Sequence, residues 1–115
     1  MLEESLLSAE KAINLGTNLP LAYYIRCYVR NKINLQVYNY GLDDCQLALK
    51  LNAWKKDNFQ FEDAIDEEKT YNLIGTIFGK LGQHKNAIDT YQIGLELLRK
   101  KNANSNIDNE TKQNY

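Results

Sequence analysis

Thr70–Leu98 reads TYNLIGTIFGKLGQHKNAIDTYQIGLELL, two runs of apolar residues at helical spacing on either side of a glycine-containing break. Tyr71, Ile74 and Phe78 in the first run, and Ile88, Tyr91 and Leu95 in the second, recur at the three- and four-residue steps that place side chains on one helix face. Gly75 and Gly94 lie inside these runs, where glycine costs about 1 kcal/mol relative to alanine. That cost is offset where a side chain would hold two helices apart. The stretch therefore predicts two antiparallel helices in close contact, with Gly75, Ala87 and Gly94 at the contact and the larger residues filling the space around it. Leu81-Gly82 closes the first helix.

The same reading extends outward. One proline and six glycines in 115 residues leave few helix breakers, and no stretch alternates apolar and polar residues as a strand does. The chain is expected to be all-α, with five helices over about 2–15, 20–33, 40–52, 61–81 and 85–100. Gly16 stands as the C-cap of the first, and Pro20 suits the first turn of the second. Residues 102–115 are polar and Asn-rich, and read as a solvated tail.

Composition excludes several function classes. Lys and Arg number 14 against 15 Asp and Glu, so bulk charge gives no reason to expect nucleic acid or a membrane surface as partner. The apolar runs are far too short for a membrane span. Met1 leads into LEESLL, acidic where a cleaved presequence is basic, so no targeting segment is expected. Cys27 and Cys45 are too few for a disulfide framework. They are expected to be reduced, small buried hydrophobes in an intracellular, cytoplasmic protein.

Tyr71-x2-Ile74-Gly75-x2-Phe78 followed by Ala87-x3-Tyr91 resembles the tetratricopeptide repeat (TPR), a 34-residue helix–turn–helix unit. The proline that this family places after the second helix is Arg99 here. A second, diverged match runs upstream through AYYIRCYVRNKINLQVYNYGLDDCQLALKLN, with a turn about two residues longer than standard and Arg30 in place of an aromatic. Residues 1–19 resemble the second helix of a preceding repeat. The resemblance thus divides the chain into an orphan helix (1–19), a diverged repeat (20–53), an insert (54–67), a well-matched repeat (68–101) and the tail (102–115). It implies a short right-handed superhelical array of antiparallel helix pairs, an α-solenoid. The insert is aromatic and then acidic: Trp54, Phe59 and Phe61 either cover an apolar edge or touch a partner.

No catalytic constellation is visible. The lone His84 falls in a turn with no serine placed to use it, and two cysteines with one histidine do not make a zinc site. Gly75, Gly79 and Gly82 lie within and after a helix, the wrong context for a phosphate loop. No enzyme activity, cofactor or metal is expected. The resemblance implies protein binding instead, in a groove lined by first helices: Leu21, Tyr24, Ile25, Tyr28, Asn31 and Lys32, then Lys69, Asn72, Leu73, Thr76 and Lys80. Leu21, Ile25 and Tyr28 have a plain alternative role, burial against the first helix. Two function classes follow, a scaffolding subunit of a larger assembly and a co-chaperone module for acidic chaperone tails. The second grips a terminal carboxylate with an Asn and basic residues, and here Ile25 and Leu73 replace two of them while Lys69 keeps one. Leu2, Leu6, Leu7, Ile13 and Leu15 cannot all face the second helix, so helix one is a candidate for self-association or contact with a neighbouring subunit.

Overall fold

In the computed structural model, which describes residues 1–58 and 64–113 with side chains through 103, five α-helices follow one another: α1 (Leu2–Asn14), α2 (Pro20–Lys32), α3 (Leu42–Asp57), α4 (Glu67–Lys80) and α5 (His84–Gln113). A 3-10 turn, Gln36–Gly41, precedes α3. No strand occurs among the described residues. Each helix packs on the next in chain order, and α2 also touches α4, while α1 reaches none of α3, α4 or α5.

Three helices close in one way. A residue in the left-handed region follows the cap, and two reversed hydrogen bonds satisfy the last carbonyls. At α1 this residue is Gly16 (Thr17 N–H to Ala12 O, 3.2 Å), and at α4 it is Gly82 (Gln83 N–H to Phe78 O, 2.9 Å). At α2 it is Asn34, φ +56°, with Leu35 N–H on Arg30 O at 2.9 Å. Asparagine tolerates this conformation better than other non-glycine residues. The α4 N-terminus is set by Asp66, whose carboxylate accepts the Lys69 N–H at 3.2 Å. That cap places the helix start at Glu67 rather than near 61.

The opening glycines behave as expected at two positions. A Cβ on Gly75 would lie 2.7 Å from the Tyr91 ring, and one on Gly94 would lie 3.0 Å from Asn72 Oδ1. Gly79 has nothing within 4 Å. Gly75→Ala should therefore destabilise by about 1–2 kcal/mol as the ring is displaced, whereas Gly79→Ala should stabilise by about 0.5–1 kcal/mol. Thermal melts of the two variants check this, and equal shifts would contradict it. Gly41 is more constrained than either. Its φ is +89°, and a Cβ would lie 2.7 Å from the Cα of Cys27.

The two helix pairs share several matched positions. Asn34 and Gly82, both left-handed, are 48 positions apart, as are Cys27 and Gly75. Cys45 faces Cys27 as Tyr91 faces Gly75, and these second-helix partners are 46 apart. The first pair thus has the longer internal turn. That turn is strained, with positive φ at Asn39 and Tyr40 before Gly41.

Several sequence expectations need correction. Cys27 and Cys45 are not free thiols but form a disulfide joining α2 to α3, with Cα atoms 5.5 Å apart and both side chains fully buried. Two cysteines are too few for a framework, yet facing positions on paired helices bring their Cα atoms within the spacing that one bridge needs. Ile88 and Leu95 are exposed rather than filling the space between the helices, whereas the Tyr91 ring lies against Gly75 as expected while staying 42% exposed. Helix α5 also runs past Lys100 to Gln113, where no proline or glycine interrupts it. Phe59 and Phe61 lie outside the described residues.

The core joins both pairs. Cys27, Leu42, Cys45, Ile74 and Ile77 form its buried centre, with Tyr40, Leu49, Leu73, Phe78 and Leu81 packed around them. Where the second pair has Ile74 and Phe78, the first has Arg26 and Arg30. Both arginines are held by buried Asp44 at the start of α3. Arg26 donates twice (Nε to Oδ2 2.9 Å, Nη2 to Oδ1 2.8 Å) and Arg30 once (Nη1 to Oδ2 2.9 Å). The Arg30 guanidinium also lies 4.0 Å over the Tyr38 ring. The hydrogen bond to Asp44 holds the Arg26 guanidinium above its ordinary pKa.

Candidate protein-binding surfaces

The residues expected to share one groove are distributed over three places. Leu21 and Ile25 face α1, lining with Met1, Ser8, Ala9 and Leu19 an open groove of about 460 Å³. Leu73 packs against the core. Lys69 and Asn72 lie toward α5, along a groove of about 490 Å³ with Tyr91, Gly94, Leu95 and Leu98. Thr76 is tied to the same helix, its hydroxyl 3.0 Å from the Tyr91 hydroxyl.

What remains of the expected groove is an aromatic row on α2. The rings of Tyr24 and Tyr28 stack with centroids 6.4 Å apart, and Lys32 Nζ lies 5.8 Å from the Tyr28 ring. Burial, then the neighbouring Tyr28 and Asp66, pushes the Tyr24 phenol above its ordinary value. Its neutral form therefore contributes stability below the usual tyrosine range, and that contribution is lost as pH rises through the raised value. Tyr28 and Lys32 are exposed, while Tyr24 is half-buried.

Lys80 serves the fold rather than a ligand. Its ammonium donates to Asn31 O (3.0 Å), Asn31 Oδ1 (2.7 Å) and Asn34 Oδ1 (2.8 Å), and lies over the Tyr40 ring. Three donors with three acceptors leave this cation no proton for another partner. Asn52 plays a like role at the other end of α4. It donates to Glu67 Oε1 at 3.0 Å and accepts the Ile65 N–H at 3.0 Å, fixing the connector into α4.

Sequence reasoning overlooked one exposed surface. Ile88, Tyr91, Leu95 and Leu98 make an apolar stripe along α5, and Trp54 stands exposed on α3. On α1, Leu2 and Leu7 are exposed, as is Leu15 at its C-cap, while Leu6 and Ile13 are half-buried, so part of the apolar set of this helix faces outward. The α5 stripe was legible as amphipathic spacing. Its exposure was not. Among the described residues, no group of three or more His, Cys, Asp or Glu side chains could hold a metal ion, and no helix is long and apolar enough to cross a membrane.

No protein-family model, curated protein or solved structure matches this chain.

Proposed function

We propose that the chain is a non-catalytic protein–protein interaction module, a TPR-like right-handed array serving as a scaffolding or structural subunit, or part of one, in a larger assembly. The observation that carries this reading is the correspondence of the two helix pairs, in which Cys27 meets Cys45 as Gly75 meets Tyr91. Stacked helix pairs of this kind are quasi-one-dimensional, and their surfaces serve binding. The Tyr24–Tyr28–Lys32 row is the part of the expected groove available to a protein partner; nucleic acid and membrane are not proposed as partners. Within the cell, the buried bridge fits an oxidising compartment better than the cytoplasm expected from the cysteine count.

A photo-crosslinking phenylalanine analogue at Tyr28 tests this at native abundance, with the exposed Lys50 on α3 as control position. Protein adducts at 28 and not at 50 are expected. Adducts at neither, or equally at both, would refute the α2 row as a binding surface.

The co-chaperone alternative has less support. Ile25 faces α1 and Leu73 is packed in the core, so neither position offers a polar grip for a terminal carboxylate. Peptides ending in acidic chaperone-type tails should bind weakly or not at all. Micromolar affinity in calorimetry, lost on Lys69→Ala, would restore that alternative.

A further inference from the structure

The equivalence of the two pairs breaks down on one face only. On α3, Leu42, Cys45 and Asn52 are 9%, 0% and 2% exposed: Cys45 is closed off by its bridge to Cys27, Leu42 shares a core with Ile74 and Ile77 of α4, and Asn52 accepts the Ile65 N–H of the connector leading into α4. Their counterparts 46 positions on, Ile88, Tyr91 and Leu98, are 58%, 42% and 40% exposed, and Leu95, the counterpart of Leu49, is 47% exposed. Among the described residues nothing stands to α5 as α4 stands to α3.

We infer that this face of α5 is a docking site for an amphipathic helix of a partner protein, held as α4 is held on α3. The chemistry of the occupant follows from α4. That helix enters the shared core with Leu73, Ile74, Ile77 and Leu81, so the partner presents apolar residues at i, i+1, i+4 and i+8. The first turn of α4 meets the far end of α3, where Asn52 and Lys56 hold Glu67 (3.0 and 2.6 Å). The two helices are therefore antiparallel. The corresponding stretch of α5 carries exposed Arg99, Lys100 and Lys101, of which Lys101 lies 3.5 Å from Glu68. An acidic first turn on the docked helix complements this cluster and suits its own N-terminus.

A second copy of the chain fits less well. Antiparallel pairing of two α5 stripes, Ile88 on Leu98 and Tyr91 on Leu95, brings Lys85 opposite Lys101, a like-charge contact that disfavours the pair. Of the apolar side chains of α1, only Leu2 and Leu7 are exposed, beside Glu3 and Glu4. The inference rests on the pair correspondence and not on the α2 row, so either can fail alone.

The probe is a synthetic peptide of residues Asp66–Leu81 of this chain, added to the full-length protein and followed by amide NMR. The expected result is perturbation at Ile88, Tyr91, Leu95 and Leu98 with a Kd on the order of 100 µM, weak because an isolated helix of this length must order on binding. Leu95→Glu in the protein should weaken binding about tenfold or more, equivalent to at least ~1.4 kcal/mol, and Leu98→Glu serves if that variant does not fold. Charge reversal at Arg99 and Lys100 should weaken it too, with recovery when the peptide carries Glu67→Lys and Glu68→Lys. Perturbation confined to α1 and α2, or none at millimolar peptide, overturns the inference. So does a concentration-dependent dimer of the chain that Leu95→Glu converts to monomer, which would make the occupant a second copy.

Discussion

Refolded with reductant present throughout, the protein should melt roughly 10 °C below its oxidised form. The Cys27–Cys45 bridge closes a loop with a sequence separation of 18. In the chain-entropy account, a loop of that size is worth about 3 kcal/mol through restriction of the unfolded chain. The bridge also anchors the strained turn, because Gly41 rests on the backbone of Cys27. Reduction should therefore release residues 36–41 first, visible as faster amide exchange there than in α4 or α5. Thiol counting in denaturant without reductant should find no free group. Two free thiols, with no change in melting on reduction, would show that the bridge does not form in solution.

Asp44→Ala should cost about 3 kcal/mol, since it leaves two arginine side chains, 19% and 13% exposed, facing each other without a counter-ion. The loss should survive high salt better than that of a surface pair, because the carboxylate is only 7% exposed. The second helix pair suggests the repair. Its equivalent positions hold Ile74, Phe78 and Thr90, so the triple variant Arg26→Ile, Arg30→Phe, Asp44→Thr should regain most of the lost stability. Buried ionic sets are often replaceable by apolar residues of similar volume, whereas half of such a set is not tolerated. Chemical denaturation of both variants measures this. An Asp44→Ala loss under 1 kcal/mol, or a triple variant no better than the single, would show that the cluster contributes little to the first pair.

Truncation after Asn102 supplies a smaller test. The residues beyond it are mostly polar, and their removal should leave the melting temperature unchanged. A fall of several degrees would show that the end of α5 contributes to the fold.

Much of this architecture was already legible in the residues. Helix periodicity, the breaks at Gly16 and Gly82, the proline opening α2 and the close approaches at Gly75 and Gly94 are signals confined to a few neighbouring positions. Asn34 escaped notice because asparagine at a left-handed cap is indistinguishable in sequence from asparagine elsewhere. Arg30 stood out as a departure from the repeat pattern, but nothing local pointed to Asp44 and Tyr38 as the groups that accommodate it.

By itself, the sequence determined an all-helical chain of five segments, because the apolar period of a helix is set within each turn. Only the tertiary structure decided which faces are covered. Lys80 has the same residue type at the same spacing whether it meets solvent or three oxygens of α2 and its cap. Cys27 and Cys45 become a bridge only when two helices bring their Cα atoms to 5.5 Å. The amphipathic stripe of α5 reads like a buried one, and its exposure depends on whether a neighbouring helix lies across it, an arrangement that no local pattern encodes.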